Sequence, residues 1–114
     1  MGKGQVVLKS DIPKLLQATP QRVRAVVSKA AYDVQAVAAV NTPVDTGALK
    51  NSLFAEMDSD REATVGYTVE YAVYVEMGHH TRGGRYIPGR YMLTGAVNKV
   101  EPAFRAAVKQ IVEG

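Results

Sequence analysis

Leu53-Phe54-Ala55-Glu56-Met57-Asp58-Ser59-Asp60-Arg61-Glu62-Ala63-Thr64-Val65-Gly66-Tyr67 contains two short runs of alternating character separated by a polar stretch. Leu53, Ala55 and Met57 alternate with Phe54 and Glu56, and Ala63, Val65 and Tyr67 alternate with Thr64, Gly66 and Thr68. A period of two is that of a strand with one face turned to a core. The polar link from Asp58 to Glu62 predicts an antiparallel hairpin. The segments on either side of it have a different period.

Upstream, Val23, Val26, Val27, Ala30, Val34, Val37 and Ala38 recur at the three-four spacing of one helical face, with Arg22, Lys29, Asp33 and Gln35 off it. Thr19-Pro20 is the start signal, because a proline at the first helical position gives up no hydrogen bond. The helix is expected to stop near Val40, since Asn41 is a good stop and Thr42 precedes Pro43, which biases it away from helical geometry. Between helix and hairpin lies Thr42-Pro43-Val44-Asp45-Thr46-Gly47-Ala48-Leu49-Lys50-Asn51-Ser52. Its turn formers and capping side chains predict a short helical turn, opened by Asp45 or Thr46, with Leu49 inward. Ser10 or Asp11 is read as capping a first turn through Pro13 to Leu16. Residues 1–9, with an apolar patch at Val6, Val7 and Leu8 but no helical period, are expected to be a flexible arm that orders on contact.

Downstream, Tyr71-Ala72-Val73-Tyr74-Val75-Glu76-Met77-Gly78 has the β-branched and aromatic content of a strand, but Tyr71, Tyr74, Val75 and Gly78 would share one helical face, and a short helix closed by Gly78 is preferred, with Tyr71 as the core candidate. Residues 79–90 are rich in glycine and arginine, lack apolar content for a core, and are expected to be a flexible basic loop. Leu93, Ala96, Val97, Val100, Phe104, Ala107, Val108 and Ile111 form a final helical face. A break or kink is expected near residues 98–101, with Pro102 opening the last helix, because proline lacks a donor and crowds the preceding turn.

A length of 114 residues accommodates one domain and no second core. With 46% hydrophobic and 22% charged residues, the chain has the balance of a folded globular domain. No apolar run approaches the ~20 residues of a membrane span. The first residues lack the apolar stretch of a secretion signal, so function in a cytoplasm is expected. The absence of cysteine excludes disulfides, thiolate metal sites and a cysteine nucleophile. A net charge of +3 is compatible with nucleic acid but does not argue for it.

Pro43, Asp45, Thr46, Gly47, Leu49 and Ser52, followed by Tyr71-Ala72, Val75-Glu76 and Gly78, reproduce two boxes, Pro-x-Asp-Thr-Gly-x-Leu-x-x-Ser and Tyr-Ala-x-x-Val-Glu-x-Gly. With this order and spacing the chain resembles, over residues 20 to 112, the head-to-tail joining and tail-completion family of long-tailed bacteriophages. It departs from that pattern at His79-His80 and at Pro88-Gly89-Arg90-Tyr91-Met92-Leu93. The resemblance implies a single α+β domain, with a long N-terminal helix and a C-terminal helix packed on a small antiparallel sheet. It also implies a structural virion protein rather than an enzyme, with no cofactor, metal or membrane. Copies would form a homo-oligomeric ring of six or twelve at the neck, assembled in the host bacterial cytoplasm. The partners implied are connector or adaptor proteins, and tail-tube or tail-terminator proteins.

Within that reading the first box is a shape-determining corner whose polar atoms serve local backbone. Glu76, Arg82, Arg85, Tyr86 and Arg90 are the candidate subunit or partner contacts, Glu76 as a carboxylate for a neighbour's arginine. The rival reading is a small non-specific nucleic-acid-binding module in which Arg82, Arg85 and Arg90 hold phosphates while Tyr86 and Tyr91 stack on bases. A ring around DNA in transit is expected to make at most weak, non-specific contact with it. Glu76, His79 and His80 lack the one-turn spacing of a helical zinc motif, and no nucleophile or phosphate-loop motif is present.

Overall fold

Thr19 starts the first long helix as its composition requires. Its hydroxyl accepts from the Arg22 amide at 3.3 Å, and Pro20 occupies the first turn of α1 (Pro20–Asn41). The computed structural model describes residues 4–9, 19–43 and 47–113. Six small or branched residues of α1, Val23, Val27, Ala30, Ala31, Val34 and Ala38, are buried along one side. The helix ends where proline forbids its continuation. Thr42 leaves helical geometry with φ −79° and ψ 129°, as the residue before Pro43 must.

The remaining elements are β1 (Gly4–Lys9), α2 (Gly47–Asn51), β2 (Leu53–Met57), β3 (Glu62–Tyr67), α3 (Ala72–Met77), β4 (Gly78–His80), β5 (Tyr86–Pro88) and α4 (Met92–Glu113). Three strands form an antiparallel sheet in the order β1-β3-β2, with Ala55 opposite Val65 and Val6 opposite Val65 on the other side. Helix α1 lies on β3 and β2, and α4 packs along α1. The long helices run in opposite directions, since Asn41 at the end of α1 donates to the Met92 carbonyl at the start of α4 (3.2 Å). The fold is α+β, with a long helix near each end of the described chain and a small antiparallel sheet.

The core is built around Tyr67, which is fully buried under α1. The Thr42 hydroxyl donates to the Ala38 carbonyl (2.6 Å), which uses its single proton, so the Tyr67 hydroxyl is the donor in its contact with Thr42. Burial, chiefly, pushes the Tyr67 phenol above its ordinary value of 10.0, and the Glu76 charge adds to it. An unfolded chain therefore releases this proton first, and the stability tied to it is complete below pH 10 and lost as pH rises beyond it. Tyr67→Phe is expected to cost about 1 kcal/mol at neutral pH. It is also expected to flatten the loss of urea midpoint between neutral and alkaline pH; an unchanged alkaline slope would contradict this account of Tyr67.

Four sequence expectations are corrected. Residues 4–9 are not an arm but the edge strand β1, whose backbone bonds are supplied by β3, a partner more than fifty residues away that no local pattern reveals. Residues 79–90 are not a loop but a hairpin, pairing His79 with Ile87 and His80 with Tyr86. Its turn is closed by bonds from the Thr81 amide to Arg85 (2.8 Å) and from the Gly84 amide to Thr81 (2.9 Å), with Gly84 at φ +84°. Helix α4 runs through Pro102 instead of opening there. Asn98, whose carbonyl the proline leaves without its helical partner, is exposed, as is Pro102, so water reaches the freed group. Finally, Tyr71 is 41% exposed and is not a core residue. Tyr67 and Ala72 fill that space, and the Thr42 hydroxyl partner lies beside Tyr67.

The expected turn from Ser10 to Leu16 and the capping roles of Asp45 and Thr46 fall outside the described residues. Within the first box, Leu49 is buried and Ser52 donates its hydroxyl to the Leu49 carbonyl at 2.9 Å. The Ser52 carbonyl accepts from the Thr68 amide (3.1 Å), which ties this corner to the end of β3. Pro43 is half-buried and Gly47 exposed. Among the described residues no helix is long and apolar enough to cross a membrane, and no cluster of histidine and carboxylate side chains is arranged to hold a metal.

Candidate functional site

Helix α4 begins after Pro88-Gly89-Arg90-Tyr91, a sequence with no Ser, Thr, Asp or Asn at the capping position. Tyr91 turns the chain at φ 49°, an uncommon conformation for a non-glycine residue, and its carbonyl accepts from Gly95 at 2.8 Å. The side-chain cap comes from elsewhere. Glu76 of α3 accepts from the Leu93 amide through Oε1 (2.8 Å) and from the Thr94 amide and hydroxyl through Oε2 (2.9 and 2.6 Å). These are the second- and third-position amides that a local cap would serve, and a carboxylate there also meets the positive end of the helix dipole. Glu76 thus caps a helix of its own chain while its side chain stays partly exposed.

The chain passes back over α3 at two glycines. A Cβ on Gly89 would lie 2.4 Å from the Glu76 carbonyl oxygen and 2.6 Å from the Met77 carbonyl carbon. A Cβ on Gly78, already at φ +85°, would lie 2.6 Å from the Ile87 oxygen. Backbone therefore touches backbone with no room for a side chain. Immediately beyond, the amides of Arg90 and Tyr91 donate to the Val75 and Glu76 carbonyls at 2.7 and 3.0 Å, pinning the crossing. Gly78 also closes α3, its amide bonding to the Tyr74 carbonyl.

This clamp presents the hairpin as a rigid projection. Tyr86 packs its ring on His80 (centroids 5.2 Å apart) and donates to the Met77 carbonyl at 3.4 Å, while Tyr74 meets His79 edge-on at 5.8 Å. Successive residues of β4 point to opposite faces, so His79 and His80 do not converge on one ion. Around them Tyr74, Met77, Tyr86 and Tyr91 remain roughly half exposed or more. Arg82, Arg85 and Arg90 are exposed, and among the described residues no carboxylate pairs with them. From Tyr71 to Val100 the sole acidic residue is Glu76, which is spent on the cap. The result is an exposed aromatic and cationic surface. Of the residues expected to make contacts, the structure puts Arg82, Arg85 and Tyr86 on the hairpin, Arg90 in the crossing segment that follows it, and Glu76 at the start of α4 as its cap.

Sequence reading missed the backbone crossing at Gly89, the chain reversal at Tyr91 and the Thr42–Tyr67 pair. The missing cap before Met92 was the one local sign that α4 must be capped from a distance. Comparison with known families matches residues 7–78 to the model described as "Bacteriophage HK97-gp10, putative tail-component". No curated protein and no solved structure matches the chain significantly. The matched segment runs from β1 through the first box and the sheet to the glycine that closes α3, covering well over half of the molecule. The chain belongs to the HK97-gp10-like family of bacteriophage tail components.

Proposed function

We propose that the chain is a structural, non-catalytic subunit at the neck of a tailed-phage virion, where a ring of copies completes the tail and joins it to the DNA-filled head. The observation that carries this reading is the clamped hairpin, which exposes Arg82 and Arg85, unpaired with any carboxylate among the described residues, beside a set of exposed tyrosines. Membership of a tail-component family supplies the virion setting. Its partners are further copies of itself, connector or adaptor proteins, and tail-tube or tail-terminator proteins, and assembly takes place in the host bacterial cytoplasm.

Arg82→Ala combined with Arg85→Ala is expected to leave the fold intact, since neither side chain has a partner to lose, and to abolish joining. Particles produced with this variant alone are to be counted by electron microscopy and titred for infectivity. Separate heads and tails with a correctly folded variant are the expected result. Normal infectivity would refute the assignment of the hairpin as the joining surface. DNA in transit would meet the same cationic surface, and the reading allows weak, salt-sensitive, non-specific contact there. A measurable sequence preference would favour the nucleic-acid module instead.

A further inference from the structure

The hairpin has a complementary surface at the other end of the molecule. The β2–β3 turn and its flank carry Glu56, Asp58 and Asp60, with Arg61 in the turn and Arg24 of α1 beside Asp60 as the basic residues there. Glu56, Asp58 and Asp60 are exposed. Two contacts fix where this acidic turn lies. Asp60 pairs with Arg24 at the start of α1 (3.3 Å, both side chains 51% exposed). The hairpin runs through Arg90 and Tyr91 into the start of α4, which is bonded to Asn41 at the finish of α1. Arg24 and Asn41 lie seventeen helical steps apart on α1, which is roughly 25 Å at about 1.5 Å per step. The molecule is elongated, 56 × 24 × 20 Å. One chain therefore cannot bring its two charged ends together, whereas two chains placed end to end can.

We propose that copies of this chain associate head to tail, the basic hairpin tip of one (Arg82 and Arg85) docking on the acidic β2–β3 turn (Glu56, Asp58 and Asp60) of the next. This rests on the reading of the hairpin as an assembly surface and names its partner. The contact is heterologous: each copy uses one end to give and the other to receive, so every copy has the same two contacts once the series closes into a ring. Charge complementarity sets the direction of docking and disfavours like-end contacts, while Tyr86 and its neighbours supply apolar area. The Arg24–Asp60 pair does not compete strongly, being long and exposed.

The test uses two charge-reversed variants, Arg82→Glu with Arg85→Glu and Glu56→Arg with Asp60→Arg, each checked for an unchanged circular dichroism spectrum and thermal midpoint. The second pair avoids Asp58, whose carboxylate accepts from the Thr64 hydroxyl inside the hairpin. Sedimentation velocity is run at low salt on the wild type, on each variant and on an equimolar mixture. The wild type is expected to associate, about tenfold or more weakly at high salt because exposed charges are screened. Each variant alone is expected to stay monomeric, since both of its ends then carry the same sign. The mixture is expected to associate again, because every reversed end meets an opposite one.

Association of either variant as tight as that of the wild type, no rescue in the mixture, or a wild type that stays monomeric in concentrated low-salt solution would overturn the proposal. Loss of joined particles in Arg82→Ala with Arg85→Ala alongside unaltered self-association would mean that the hairpin grips a different virion protein. The proposed function would then stand and this inference would fall. Salt-steep binding of the hairpin to duplex DNA without self-association would equally overturn it.

Discussion

Gly89→Ala is expected to destabilise the fold by about 3 kcal/mol, the upper range for forcing an extra carbon into a packed site. The carbon would sit 2.4 Å from a backbone oxygen and 2.6 Å from a backbone carbon, so no rotation of a side chain can relieve the clash. One of the two backbones has to move. Because the bonds from Arg90 to Val75 and from Tyr91 to Glu76 lie immediately beyond the contact, moving it strains or breaks them. The hairpin then loses its fixed angle to α3, and Glu76 loses its register with α4. Gly83→Ala is the control: a Cβ there meets nothing nearer than the Thr81 hydroxyl at 4.0 Å. Chemical denaturation of the two variants side by side checks this, and equal stability of Gly89→Ala and wild type would contradict the described crossing.

Glu76→Ala is expected to cost about 2 kcal/mol, lowering the melting temperature by roughly 10 °C for a domain of this size. The substitution removes acceptors from two amides and a hydroxyl at once, and Leu93 is too buried for water to replace its bond freely. Glu76→Gln keeps one acceptor but turns an NH2 toward a donor, and is expected to lose about half as much. Thr94→Val removes only the hydroxyl arm and is expected to cost least. Thermal melts of the three variants should fall in that order. If Glu76→Ala melted with wild type, the carboxylate would be free for a neighbour after all, and the intrachain cap would be wrong.

The order of effects explains what the sequence could and could not show. Helix α1, the β2–β3 hairpin and α3 with its closing glycine were legible because each is decided within a few residues, by a period, a cap or a proline. The strand β1 was not, since Gly4 to Lys9 has no alternation and its pairing depends on β3. The β4–β5 hairpin was not, because three-residue strands are too short to show a period and are held by ring contacts between His80 and Tyr86. Pro102 misled because a local rule was applied without knowing that Asn98 faces solvent. At the site, the arginines and Tyr86 were visible as a composition. The role of Glu76 was hidden because its partners are 17 and 18 residues along the chain.

Tyr67 shows the same limit inside the core. Its place on the inward side of β3 followed from alternation, but its choice over Tyr71 as the buried ring depended on Thr42, brought close only by the fold. A hydroxyl is tolerated in an interior where it finds a partner, and Tyr67 has one. The tyrosines of α3 and the hairpin are left for the surface, where the account places their use.

The most direct measurement is electron microscopy of particles from a strain lacking this chain, beside the same strain supplied with it in trans. The account predicts DNA-filled heads and separate, unjoined tails, restored to whole particles by complementation. Intact joined particles in its absence would contradict the neck assignment.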